Sequence, residues 1–269
     1  MNCKLLFTLA MSMVLLVGCE DSEPEVAESK SEAGGLKLSR LHQRCMLPEA
    51  SMSQVQEYLR LGGDVNKEGF DGSTLLEVHV KNGSPEMISV LIEEGADVNG
   101  RNVDAIPLVL AAGDNPNPEV ISMLIKKGAD VNSKTRSGST PLMFAAQYNQ
   151  NFEVISVLLD AGANVKVPDE SGNTPPMLAA KHNTNPEVLL VMLEAGVDVN
   201  EKFYHDGKTL LILAAQYTRN HEVISVLLEA GANVNKEDNS GRDARNYAGM
   251  NEHLQGTPVL RELQKPANP

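Results

Sequence analysis

The 269-residue chain predicts an all-α solenoid: about seven stacked helix–turn–helix units, divergent ends included, joined by extended finger loops. Three observations lead there. Glycines at 62, 95, 128, 162, 196 and 231 follow one another at steps of 33, 33, 34, 34 and 35 residues, each opening the pentapeptide Gly-Ala-Asp-Val-Asn or a close variant. Capping side chains at 84, 117, 151, 185 and 220 each stand 11 residues before the next of these glycines. Each unit also carries two short apolar stripes at helical spacing. A period in this range marks stacked repeats, and no unit so short buries its apolar face alone, so neighbours must close one continuous core.

The first helix of a unit is clearest after Ser139. Thr140 is a good N-cap, Pro141 takes the first helical position where its missing N–H is no loss, and Leu142, Ala145 and Ala146 form an apolar stripe. The alanines let the next helix approach closely. The second helix opens on Ser84-Pro85-Glu86, Asn117-Pro118-Glu119, Asn151-Phe152-Glu153, Asn185-Pro186-Glu187 and Asn220-His221-Glu222. Each is a cap followed by an acid in the first turn, where the helix dipole favours negative charge. Val154, Ile155, Val157, Leu158 and Leu159 then supply a broad apolar face, and Gly162 takes the left-handed position that ends the helix.

Gly138-Ser139-Thr140-Pro141-Leu142-Met143-Phe144-Ala145-Ala146 followed by Gly162-Ala163-Asn164-Val165 resembles the ankyrin repeat, with its patterns G-x-T-P-L-H-x-A-A and G-A-D-V-N. The resemblance covers residues 37–264. Inner helices open near Thr74, Ile106, Thr140, Thr174 and Thr209, flanked by divergent units from Ser39 to Asn66 and from Gly241 to Leu263. Terminal repeats have one face in water and are expected to diverge. The chain also departs from the family. Its histidine is replaced by Met143, Met177 and Ile212, so apolar contact should replace its hydrogen bonding, with His42 the one place left to keep it. Val103-Asp104-Ala105-Ile106 lacks the usual glycine and threonine, which predicts an abnormally bent finger.

The N-terminus bears on location. Met1-Asn2-Cys3-Lys4 is a short basic start, Leu5 to Val17 is an apolar run too short to span a bilayer comfortably, and Leu16-Val17-Gly18-Cys19 closes it. This resembles a bacterial lipoprotein signal. It implies removal of residues 1–18 and acylation of Cys19; the other reading is an uncleaved anchor with an incidental cysteine. The acidic, Ser- and Gly-containing stretch to residue 36 is expected to be a flexible tether, and residues 265–269 a tail. The expected location is the bacterial cell envelope, facing periplasm or exterior. Glu20 and Asp21 resemble inner-membrane retention signals, whose rules vary between bacteria, so either membrane remains open.

Net charge is −13, and loss of the leader takes Lys4 with it, leaving −14. Such a body should be repelled by nucleic acid and by anionic lipid heads and favours basic partners, with the membrane reached through the lipid alone. A monomer is expected. With Cys3 removed and Cys19 acylated, Cys45 stands alone, without a disulfide partner, and its place near the small-residue position of the capping helix suggests burial. Histidines at 42, 79, 182, 205, 221 and 253 show no H-E-x-x-H or clustered metal spacing, and no G-x-S-x-G elbow is present. No catalytic residue, cofactor or metal site is expected. His79, where other units have alanine, reads as a core histidine.

Recognition is what remains. The resemblance implies protein binding through finger tips and the concave inner-helix face. The fingers carry Lys67, Phe70, Arg101, Arg136, Pro168 and the Phe203-Tyr204-His205 cluster, whose extra residue should project an aromatic tip. Tyr148, His182 and Tyr217 follow paired alanines in three consecutive units, either as a binding ladder or as local cover for their own turns. Aromatics and arginine dominate interface hot spots. Two functions stay open: an envelope scaffold or adaptor, or an immunity or inhibitor protein that blocks a toxin or hydrolase.

Overall fold

The computed structural model describes residues 26–203 and 205–263. The leader with Cys19, Tyr204 and the tail lie outside the described residues. The chain divides between Arg40 and Leu41 into two units. α1 runs Val26–Cys45, so residues 26–36 are helical where the sequence predicts an irregular tether. Alanine, glutamate and lysine favour helix strongly enough to carry the segment without an apolar stripe.

From Leu41 onward, helices alternate between two layers. The inner layer holds α3 (Leu75–His79), α5 (Pro107–Asp114), α7 (Pro141–Tyr148), α9 (Pro175–His182), α11 (Leu210–Tyr217) and α13 (Ala244–Met250). The outer layer holds α2 (Met52–Arg60), α4 (Pro85–Glu93), α6 (Pro118–Lys126), α8 (Phe152–Asp160), α10 (Pro186–Glu194), α12 (Glu222–Glu229) and α14 (Pro258–Leu263). Each inner helix pairs with the outer helix that follows it; the end of α1 with α2 makes repeat one, and α13 with α14 makes repeat seven. No strand occurs among the described residues.

The expected caps form. Thr140 Oγ1 accepts from the Met143 N–H at 3.4 Å, and Asn117, Asn151 and Asn185 accept from the N–H two residues on at 2.9 to 3.0 Å. Asn220 does the same for Glu222 at 3.0 Å although α12 starts one residue later than its counterparts. Methionine does more than the sequence suggests: the Sδ atoms of Met143 and Met177 each accept from the cap N–H at 3.4 Å, a weak bond in place of the family histidine. His42 keeps a polar role, its Nε2 lying 3.1 Å from Lys67 O.

Leu142, Ala145 and Ala146 are fully buried, as are Val154, Ile155 and Leu158, whereas Val157 and Leu159 are half-buried along the seams. Gly162 has φ 89°, in the left-handed region. Thr135 N–H bonds Ser139 O and Asp169 N–H bonds Asn173 O across their fingers, whereas the finger before α5 shows the turn bond Ala105 N–H to Asn102 O at 2.9 Å, which Gly138 N–H to Thr135 O and Gly172 N–H to Asp169 O also make.

Asparagine side chains join one repeat to the next. After the outer helices, Asn66, Asn99, Asn132 and Asn200 donate to the carbonyls of Gly95, Gly128, Gly162 and Gly231 at 2.9 to 3.2 Å. Their Oδ1 atoms accept from the N–H groups of Asp97, Asp130, Asn164 and Asn233 at 2.8 to 3.1 Å. At the opposite edge a second series is buried: Asn149 Nδ2 bonds Ala112 O and Asn115 O at 2.9 and 2.8 Å, Asn183 repeats this on Ala146 O and Asn149 O, and Asn251 on Ala215 O and Thr218 O. Each such amide satisfies backbone groups that its neighbour cannot satisfy itself.

Asn149→Ala strands the Ala112 and Asn115 carbonyls inside a seam. At about 1–3 kcal/mol for each stranded buried group, the urea midpoint should fall by the equivalent of about 2–6 kcal/mol at unchanged m, whereas Asn99→Ala on the exposed edge should cost about 1 kcal/mol.

The amino-terminal cap adds a pH dependence. His79 is buried with Nε2 2.8 Å from Cys45 O, and burial holds its pKa below the ordinary 6.5. The folded chain therefore takes up this proton later than the unfolded chain as pH falls, so the stability due to neutral His79 is complete above 6.5 and is lost below it. Glu77 in the same helix is raised by burial and works the opposite way just above 4.5. Wild type should lose more melting temperature than His79→Gln between about pH 7.5 and about pH 5.5; equal losses would show that His79 is not the group responsible.

Candidate interaction surface

Tyr148, His182 and Tyr217 are the last residues of α7, α9 and α11, three helices packed side by side. The paired alanines before them hold these helices close, which sets the three side chains at the same place on successive repeats. All three are exposed, Tyr148 at 55 % and Tyr217 at 46 %. Tyr148 also covers its own helix, its ring 5.8 Å from that of Phe144 and tilted by 58°. Gly113 of the preceding helix makes room: a Cβ there would lie 3.4 Å from Phe144. Tyr148 is thus packed locally, and the row as a whole faces solvent.

Beside the row lies a set of charges that the sequence did not bring together. Lys181 Nζ donates to Asn173 Oδ1 at 2.8 Å, and Lys208 pairs with Asp206 at 3.1 Å while lying 5.2 Å from the centre of the Tyr247 ring. Burial, and then repulsion from Lys208, lower the pKa of Lys181, opposed by Asp206 and Asp169. Lys208 itself is held above its ordinary value, because the hydrogen bond and charge of Asp206 outweigh burial. Tyr247 donates to Asp238 at 2.6 Å, which together with Ser240 and the backbone N–H groups of Ser240 and Arg242 pulls that carboxyl far down despite burial. His182 is lowered by burial and by Lys181, so its imidazole is neutral at pH 7. These side chains pair with one another, which fixes their positions around the row.

The finger residues divide. Phe70 stands 95 % exposed, and Arg101, Lys67 and Pro168 are exposed. Arg136 is exposed but paired with Asp104 of the preceding finger at 3.4 Å, worth at most about 1 kcal/mol in solvent. Within the Phe203-Tyr204-His205 cluster, Phe203 does not project. Phe203 is half-buried and lines a cavity with Val165, Pro176 and Val197, its N–H bonding Lys208 O at 2.9 Å. The extra residue of this finger sits between these two bonded ends and widens the turn, which leaves Phe203 at its base. His205 folds back over Gly172 of the preceding finger, where the absent Cβ leaves space. Tyr204 lies outside the described residues.

Cys45 is buried, its Sγ donating to Gln54 O at 3.3 Å, and burial pushes its pKa up to about 11, so it is a packing thiol. Among the described residues no group of three or more His, Cys, Asp or Glu side chains converges as a metal site would. No helix among them is long and apolar enough to cross a membrane. The asparagine series had a legible signal, since Asn66, Asn99, Asn132 and Asn200 close the repeated pentapeptide. Their inter-repeat role was not read from it.

Phe203→Ala should destabilise the fold by about 1–3 kcal/mol in urea unfolding, as loss of a packed ring does, whereas Phe70→Ala should stay within about 0.5 kcal/mol of wild type.

A search of curated proteins returns no match for this chain. The family model for ankyrin repeats matches in three copies, over residues 41–135, 108–203 and 177–267. With stacked helix pairs, left-handed glycines and finger loops over that span, the chain belongs to the ankyrin-repeat family and is a protein–protein interaction module.

Proposed function

We propose that the protein is a lipid-anchored scaffold or adaptor of the bacterial cell envelope, held to a membrane through acylated Cys19, which docks a protein partner on its inner-helix face. The observation that carries the docking surface is the exposed row Tyr148, His182 and Tyr217, borne on rigid helices and flanked by side chains locked in hydrogen bonds. Rings held this way bind with little loss of side-chain freedom. Glu86, Glu119, Glu153, Glu187 and Glu222 add one exposed acid per repeat on the outer helices and, with the net charge, favour a basic partner by long-range attraction. The acidic charge equally favours a second reading, a tight inhibitor of one basic toxin or hydrolase. A gene for such an enzyme beside this one would support it.

A pulldown from the native envelope tests the docking surface. The wild-type chain should capture a discrete partner, and the Tyr148→Ala, His182→Ala, Tyr217→Ala variant should lose it while remaining folded, with at most the small drop in melting that the lost Tyr148–Phe144 contact brings. Truncation of hot-spot anchors costs about 2 kcal/mol or more each, roughly a thirtyfold loss. Retention by the triple variant and loss by Phe70→Ala would move the site to the fingers. The anchor is tested separately: Cys19→Ala should abolish palmitate incorporation and release the protein from membranes or stall it as precursor. A variant that is still labelled would disprove acylation at Cys19.

A further inference from the structure

The asparagine series along the post-helix turns has one gap. Asn66, Asn99, Asn132 and Asn200 each tie two repeats, but the place between the last two is held by Lys166. Among the described residues no side chain bonds the Gly196 carbonyl or the Asp198 N–H, the pair that a carboxamide at 166 would engage. Two further observations fall on this same seam between repeats four and five. Val197 replaces the alanine of the neighbouring turns, and its N–H reaches Met192 O at 3.3 Å where Ala96, Ala129, Ala163 and Ala232 make the same bond at 2.9 to 3.0 Å. Thr174 Oγ1 is buried without a partner, and Thr174 lines a cavity of about 40 Å³ with Val165, Lys166, Val197 and Phe203.

The opposite edge of this seam is tied firmly. Asn183 bonds Ala146 O and Asn149 O at 3.0 and 2.8 Å, Asn185 bonds Gln150 O at 2.8 Å, and Thr184 bonds Gln150 Oε1 at 3.0 Å. We infer that the solenoid carries a hinge between repeats four and five, with the inter-helix turns as its axis and the finger edge as the side that opens. A stack tied by carboxamides on one edge and missing one on the other yields by rotation about the tied edge, and opening here loses the packing of Phe203 beside Val165 and the contact of His205 over Gly172. Tyr148 and His182, at the last turn of their helices beside the axis, keep their spacing while the fingers before α9 and α11 part. The docking face can therefore widen at its rim without disturbing its floor.

Spin labels test this in the full chain carrying Cys3→Ser and Cys19→Ser, since Cys45 is buried and stays unlabelled. Asp160→Cys with Glu194→Cys spans the seam on α8 and α10; Lys126→Cys with Asp160→Cys spans the neighbouring seam closed by Asn132. The first distance distribution should be at least about twofold broader, and Lys166→Asn should narrow it to match the second and slow hydrogen exchange at Asp198 about tenfold. Equal widths in the parent chain, or a distribution that Lys166→Asn leaves broad in a folded protein, would overturn the hinge. If Lys166→Asn does not fold, Asn132→Lys decides: it should broaden the second distribution to match the first, and no broadening overturns the inference.

Discussion

The structure depends on one constraint, that the backbone groups of each turn must find partners outside their own repeat. A unit of about 33 residues has two turns, and neither closes all its carbonyls and N–H groups internally. The neighbouring repeat supplies the missing bonds through asparagine carboxamides, which carry a donor and an acceptor in one rigid group. Asn132 uses both at once, on Gly162 O and Asn164 N–H. Burial of Leu142, Ile155 and Leu158 drives the repeats together, but apolar contact has no direction and tolerates sliding. The amides fix the register, because a displaced repeat would leave buried polar groups unpaired.

Two edges carry these amides, so the stack tolerates a lapse at one of them. Thr218 occupies an asparagine position of the buried edge and spends its hydroxyl on Asn220 within its own turn, while Asn200 and Asn220 still tie that seam. Lys166 is the corresponding lapse on the exposed edge. The two substitutions fall on opposite sides of repeat five, which is thus held to its neighbours differently on each side. Rigidity in such a solenoid is local, because each repeat touches only those beside it.

The same regularity creates the candidate surface. A helix position that faces neither its partner helix nor the next repeat recurs once per unit, and whatever stands there becomes a row. Tyr148, His182 and Tyr217 are such a row, and Lys181 with Lys208 lines a polar margin whose charges are met by Asp206, Asp169 and Asn173. This surface is well fixed in shape and nearly balanced in charge, whereas the outer helices keep their acids in solvent. The module therefore presents a shaped face on one side and a long-range negative field on the other.

The sequence by itself determined the period, the helix starts, the glycines that end them and the core, since caps, left-handed turns and apolar stripes are local patterns with local causes. His79 and Cys45 were legible as core residues for the same reason. Tertiary structure alone decided which residues meet across a seam. Phe203 illustrates why: one extra residue in a loop reads as a longer projection, but the ring goes where apolar surface is available, and that lies between Val165, Pro176 and Val197 of two different repeats. The helix over residues 26–36 escaped the sequence reading because propensity without an apolar face leaves no periodic signal. Pairs such as Lys181 with Asn173 or Lys208 with Tyr247 are set by how closely the alanines let successive helices approach, a distance that no single repeat encodes.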